Sequence, residues 1–238
     1  MVFKIKYFYW ITVWLLFAPF YGKSQTNTRN SGLPVNSNAV AQGNIYAVVV
    51  GISDYAELKD LQFADRDATL FAQYLEKDLG VPKKNIKLFV NEEATSEAII
   101  DEIYNINTLV KPNDLVFIYF AGHGDIEAKL DDEALLLLHK SYPINYYKGK
   151  EYIELSKLQK WLSSIANKQA RVIFIADACH SGGLIGGKEG QEKTASVLVS
   201  DWQNQTKIVS CQANELSLEG REWGNGRGLF SYHLVEGL

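Results

Sequence analysis

Two apolar runs in this chain stop on residues able to do chemistry. One, "YFAGHG", ends with His123 between Gly122 and Gly124; the other, "IFIADACHSGG", runs into Asp177, Cys179 and the pair Gly182 and Gly183. An imidazole facing a thiol supplies a nucleophile together with its base. A free thiol has a pKa of about 8.5, and a nearby imidazolium holds it as thiolate at neutral pH. The glycines let backbone approach a substrate with no Cβ in the way. Backbone N–H groups at such turns can hold the oxyanion of a tetrahedral intermediate, a contribution of roughly 2.7–4 kcal/mol per donor. Either stretch alone is weak, because a cysteine at a strand end is usually core. It is the pair that points to chemistry. His180 adjoins Cys179 directly and is expected to point elsewhere, so the base should come from the other stretch.

Such residues need elements to bring them together, and the sequence offers a regular alternation. Ile45 to Val50 is a continuous apolar run bounded by Gly51, as in a strand buried on both faces. Leu61, Ala64, Ala68, Phe71 and Leu75 recur at helical spacing until Gly80 and Pro82 stop them. "IKLFVN" (86–91) reads as a strand, and Ser96 is expected to cap a helix running to about Val110, with Glu97 and Glu102 near its start. "DLVFIYFAGHG" (114–124) is another buried strand. Residues 125–153 read as irregular: a polar excursion with "DDE" (131–133) as a solvated loop, an apolar "ALLLL" run, and "YPINYYKGKEY" as a hairpin candidate. An amphipathic helix follows, with Leu155, Leu158, Trp161, Leu162 and Ile165 on one face. "RVIFIADA" and "TKIVSCQA" are further strands, separated by a glycine-rich loop (182–193). Strands and helices in this order predict an α/β fold whose parallel sheet is covered on both faces. Ligands of such sheets bind at the carboxyl ends of the strands. His123 and Cys179 would then emerge at the same edge. The sequence contains no internal repeat.

At 238 residues and 47% hydrophobic content the chain can bury a sizeable core. A formal charge of −4 and the lack of a basic run exclude a nucleic-acid surface as the expected partner. Residues 1–24 read as an export signal. Lys4 and Lys6 start it, Tyr7 to Phe20 form an apolar stretch too short to span a membrane, and Gly22 and Ser24 mark cleavage after Ser24. No cysteine of the lipoprotein type lies near the cut. An uncleaved N-terminal anchor is the alternative. A polar linker (25–43) follows. These features predict an exported protein, periplasmic or extracellular, with no stable membrane insertion once the signal is removed. A disulfide between Cys179 and Cys211 is conceivable in that setting, but a nucleophilic Cys179 must remain a free thiol.

"YFAGHGD" and "DACHSGG", about 55 residues apart on successive core strands, resemble the His and Cys motifs of the caspase-like cysteine peptidases, the group that includes metacaspases and paracaspases. "YAVVVGISDY", "ADRDATLFAQYL" and "LSLEGREWGNGRGLFSYHLVEGL" resemble bacterial members, so the resemblance covers about residues 44–238. It implies a caspase-like three-layer fold, a central and mostly parallel sheet with helices on both faces. It also implies a cysteine endopeptidase acting on a protein or peptide substrate, with Cys179 as nucleophile and His123 as general base and acid. The N–H groups of Gly124 and Cys179 would form the oxyanion hole. Asp177 stands at the family position that lines the primary specificity pocket. An acid there pairs with a basic side chain, which implies cleavage after Arg or Lys. The bland reading of Asp177 is a turn cap.

Other implications are narrower. Lys188 and Lys193, in the glycine-rich loop, are the points at which such an enzyme would process itself. Calcium dependence occurs in metacaspases, but no site for it can be placed here. No cofactor and no metal are implied, since His139 and His233 lack ligand spacing with other His or Cys residues. Arg66, flanked by Asp65 and Asp67, reads as part of a solvated helix face. Cys211 reads as core or pocket wall, with Gln212, Asn214 and Glu215 near enough along the chain to touch substrate. Similar bacterial proteins continue beyond this point, so the natural chain is expected to extend past residue 238. The rival reading is a caspase-like interaction module with vestigial catalysis. A nucleotide-binding domain is excluded because no glycine-rich phosphate loop follows the first strand.

Overall fold

The computed structural model describes residues 43–127, 133–142, 151–178, 194, 196–198, 200, 202, 205–210 and 217–237. The expected export signal, linker, self-processing lysines Lys188 and Lys193, both cysteines, His180, Gln212, Asn214, Glu215 and the first two residues of "DDE" lie outside them.

Five strands make the central sheet: β1 (Ile45–Gly51), β2 (Ile86–Val90), β3 (Leu115–Ala121), β7 (Arg171–Asp177) and β8 (Gln205–Val209). Their order is β2-β1-β3-β7-β8 and every neighbouring pair is parallel. The apolar runs follow from this arrangement, because a strand covered on both faces has no side to give to polar residues. In β1, Ala47 and Val49 face one layer while Val48 and Val50 face the other, all four buried. Helix α1 (Ala64–Lys77) and helix α4 (Leu229–Gly237) cover the first face; α2 (Ser96–Leu109) and α3 (Leu155–Ala166) cover the second. Each buried side chain of this size contributes about 1.5–3 kcal/mol.

Three details differ from the sequence expectation. Thr95 caps α2, its hydroxyl accepting the Ala98 N–H at 3.2 Å, and Ser96 is the first helical residue. Ser96 lies one residue too far along, since a cap must keep extended backbone while reaching the third N–H. The stretch 125–153, read as irregular, contains a second sheet. There β4 (Gly124–Glu127), β5 (Glu133–Leu137) and β6 (Tyr152–Glu154) pair antiparallel in the order β4-β5-β6. The "ALLLL" run is therefore a strand whose leucines join the core on the α2–α3 side. Finally, Arg66 is exposed as expected but not merely solvated. Its guanidinium donates to the carbonyls of Asn225 and Gly224, in the loop between β9 (Glu219–Gly220) and β10 (Arg227–Gly228).

No helix among the described residues is long and apolar enough to cross a membrane.

Candidate active site

The His123 and Cys179 stretches leave neighbouring strands at the same edge of the sheet. β3 and β7 run in register from Leu115↔Arg171 to Ala121↔Asp177. Beyond that pair the Gly122 N–H donates to the Asp177 carbonyl at 3.1 Å. A Cβ on Gly124 would sit 2.9 Å from the carbonyl oxygen of Ala178, the residue whose carbonyl is bonded to Cys179. Only glycine allows that approach. The two motifs are thus closed against each other by one hydrogen bond and one side-chain-free contact.

His123 is buried, and the Lys59 carbonyl and Tyr55 are among the groups that hold it. Its Nε2 lies 2.7 Å from the Lys59 carbonyl oxygen. A carbonyl only accepts, so Nε2 carries the proton, and in the neutral ring Nδ1 holds the lone pair. The His123 N–H donates to the Tyr55 hydroxyl at 2.7 Å, and that hydroxyl donates in turn to the Leu137 carbonyl at 3.3 Å. The two rings lie 4.6 Å apart, tilted by 32°. Burial pushes the Tyr55 phenol well above its usual range, so it keeps the proton it donates. Tyr55 and Lys59 come from the segment after β1, which Asn91 and Asp65 tie down. The Asn91 side chain accepts from the N–H groups of Ser53 and Asp54, and Asp65 accepts from the Ser53 hydroxyl.

Tyr55 therefore ties the His123 backbone to the Leu137 carbonyl. Tyr55→Phe keeps the ring and removes the bridge between two buried backbone groups. It is expected to lower stability by about 1–3 kcal/mol in denaturant unfolding. Turnover should fall several-fold with KM unchanged; a fall confined to stability would make the bridge structural only.

In the Gly124↔Leu136 pair of the antiparallel ladder, bonds run on either side of the pair, Leu137 N–H to His123 O among them at 2.9 Å. The Gly124 N–H accordingly faces away from β5.

Asp177, at the end of β7, is buried among hydroxyls. Ser217 donates to its Oδ1 at 2.5 Å and Ser231 to its Oδ2 at 2.9 Å. Ser231 has one proton and gives it to Asp177, so at 2.7 Å it accepts from the buried Tyr119 hydroxyl. Both partners are distant along the chain, 40 and 54 residues away. Ser217 also lines a cavity of about 740 Å³ with Leu218, Leu229, Phe230, His233 and Leu234. A larger cavity, about 1040 Å³, opens among the first residues of β3, β7 and β8 and is remote from His123.

A second carboxylate stands beside Asp177. Asp67, which flanks the exposed Arg66, is itself only 2% exposed. Arg227 Nε donates to its Oδ1 at 3.1 Å and the Gly228 N–H to its Oδ2 at 2.7 Å. Burial pushes the Asp67 carboxyl up to about 6, against the opposing pull of Gly228 and Arg227. A Cβ on Gly228 would lie 3.0 Å from Asp67 Oδ2 and 3.0 Å from Asp177 Oδ2. The two oxygens are thus no farther apart than twice that distance. The sequence held a signal for Asp67: it is three residues after Ala64 and four before Phe71, on the apolar stripe of α1. For Lys59, Ser217, Ser231 and Arg227 no local pattern announces a role.

Among the described residues no group of three or more His, Cys, Asp and Glu side chains is arranged to hold a metal. His139 is engaged elsewhere, its Nδ1 lying 2.6 Å from the Asp54 carbonyl oxygen.

The chain spans about a third of the length of the curated relatives it matches. Metacaspase-1A of Aspergillus oryzae is 23% identical over 150 residues, 60% of this chain and 36% of the fungal one. Metacaspase-1 of Schizosaccharomyces pombe is 23% identical over 154 residues, 62% of this chain and 36% of its own. Two solved structures share the fold. A protein of Geobacter sulfurreducens superposes with a TM-score of 0.60 at 17% identity, covering 81% of each chain. Pro-sf-caspase-1 gives 0.50 at 16% identity, over 82% of this chain and 72% of its own. The family model described as the caspase domain matches residues 45–238. With its five-stranded parallel sheet, its helices on both faces and that match over most of its length, this chain belongs to the caspase domain family.

Proposed function

We propose that the domain is a cysteine endopeptidase of peptide substrates, with Cys179 as nucleophile and His123 as its proton partner, cutting after Arg or Lys. The observation that carries the reading is the contact between the two motifs: Gly122 N–H on the Asp177 carbonyl, and Gly124 against the carbonyl that leads to Cys179. In this mechanism His123 Nδ1 takes the thiol proton and Sγ attacks the amide carbon, with the oxyanion held by the N–H groups of Gly124 and Cys179. Collapse breaks the C–N bond, His123 gives its proton to the leaving amine, and water releases the acyl group. The Lys59 carbonyl supports this role, because it fixes the tautomer and favours the doubly protonated ring that forms between the two steps.

Asp177 is proposed as the acid that meets the substrate's basic side chain, with Asp67 next to it. The buried carboxylates beside Gly228 support a cationic partner over an anionic one. The reading extends to export through residues 1–24 and to self-processing at Lys188 and Lys193.

The test is fluorophore release from paired peptides ending in Arg, Lys or Asp, with calcium and a reductant present, beside Cys179→Ala and Asp177→Asn. Cleavage after Arg or Lys that vanishes in Cys179→Ala is expected. Asp177→Asn should lose at least tenfold in kcat/KM for the basic peptides, since one charge-assisted bond amounts to about 1.5–3 kcal/mol. Cleavage after Asp would overturn the pocket assignment. No turnover from a well-folded chain would favour the interaction-module reading.

A further inference from the structure

The start of α1 and the β9–β10 hairpin are clasped together. Glu219 accepts the N–H groups of Gln62 and Phe63, and Arg66 reaches the carbonyls of the hairpin loop. A third contact carries charge into the interior. Arg227 is 4% exposed; its Nε donates to Asp67, and its Nη2 to the Ser231 carbonyl at 2.7 Å. Its guanidinium also lies 5.5 Å from the centre of the Tyr232 ring. Ser231 has two tasks, since its hydroxyl donates to Asp177. Arg227 thus reaches one acid of the pocket directly and the other through a single residue.

We propose that Arg227 is a positioning and charge-fixing residue of the pocket for the substrate's basic side chain, holding Asp67 as a carboxylate beside Asp177 so that the protein, and not a proton, sets the pocket's charge. The proposal rests on the basic-side-chain reading above. Two carboxylates this close and this buried disfavour double ionisation unless a cation accompanies them. The groups facing Asp67 are Arg227 and the Gly228 N–H from the hairpin, Asp177 from β7 and Tyr119 from β3. Burial keeps the Tyr119 phenol protonated, so it supplies no charge. With Arg227 present, Asp67 ionises near pH 6 and is a carboxylate above neutrality. Without Arg227 only the Gly228 N–H still opposes burial and the Asp177 charge, so Asp67 holds its proton to higher pH.

The deciding measurement is calorimetric binding of benzamidinium, a single planar cation, to the full chain at about pH 7.5. It is run in buffers of different ionisation heat, beside turnover of an arginine peptide. Wild type is expected to bind with no proton release. Arg227→Gln should release about one proton per cation, and its affinity and KM should improve about tenfold per pH unit from about pH 6.5 to 7.5. An Arg227 that is only structural would lower stability and leave the proton count at zero, which overturns the proposal. Asp67→Asn with Arg227→Gln removes both charges, so it folds even where Arg227→Gln does not. It should bind benzamidinium with the wild-type pH dependence, and loss of binding there would make Asp67 the reader and overturn the proposal. If wild type neither binds benzamidinium nor cuts after Arg, the basic-side-chain reading falls and this proposal with it. Wild-type binding with an unchanged proton count in Arg227→Gln defeats the role of Arg227 alone.

Discussion

Replacing His123 by asparagine is expected to lower kcat/KM for an arginine peptide by about 10²–10⁴, with KM little changed. Asparagine carries its amide nitrogen where the imidazole has Nδ1, so the Lys59 carbonyl loses its donor and part of any loss in the unfolding control comes from there. It cannot exchange a proton at the pH of the reaction. The loss should therefore lie in kcat, where the thiol proton and the leaving amine are handled. Cys179→Ala should fall at least as far, and the double variant no further, because the two residues act as a unit. The measurement is steady-state turnover with unfolding curves as the control. More than half of wild-type turnover in a folded His123→Asn chain would remove His123 from the mechanism.

Asp67→Ala is expected to lower stability by about 3–5 kcal/mol, because it leaves the buried Arg227 without its counter-ion. For a domain of this size that corresponds to a thermal midpoint roughly 6–20 °C lower. The carboxylate also accepts the Gly228 N–H, so β10 loses a backbone partner together with the charge. Adding Arg227→Met should recover most of the loss, since an apolar pair replaces an unbalanced charge. The pH dependence supplies an independent check. The folded chain keeps the Asp67 proton up to about pH 6, whereas an unfolded aspartate loses it near about 3.9. Between those values the folded state binds more protons, so this residue makes stability fall as pH rises through that window and contributes no slope above it. Asp67→Ala should lack that slope. A variant as stable as wild type would mean that the Arg227–Asp67 contact contributes nothing net.

The strands and the two motifs were legible from the sequence because their causes are local. An apolar run with no polar face, as in Ile45–Val50 or Arg171–Asp177, has few ways to be buried except between two helical layers. A glycine turn after such a run marks the carboxyl edge where parallel sheets do their work. Amphipathic spacing gave α1 and α3 in the same way, although Leu61, counted with the α1 spacing, lies three residues before the helix begins at Ala64. The shift of the α2 cap from Ser96 to Thr95 is of this kind.

What only the tertiary structure decided is which polar groups share a burial site. Asp67 and Asp177 lie 110 positions apart, Ser217 and Ser231 farther still, and Arg227 comes from a two-residue strand with no periodicity of its own. Hydrogen-bonding types can be counted along a chain, but the partner of each is chosen by packing. The surroundings of His123 show the same division. Its presence at a strand end followed from the sequence. The carbonyl that fixes its tautomer belongs to Lys59, and a backbone oxygen carries no signature in any side chain. Sequence determined the elements and the reactive types, through local sterics and the burial of apolar surface. The protonation state, the charge balance and the closeness of the two motifs came from contacts between segments far apart, because electrostatics in a buried site depends on distance in space.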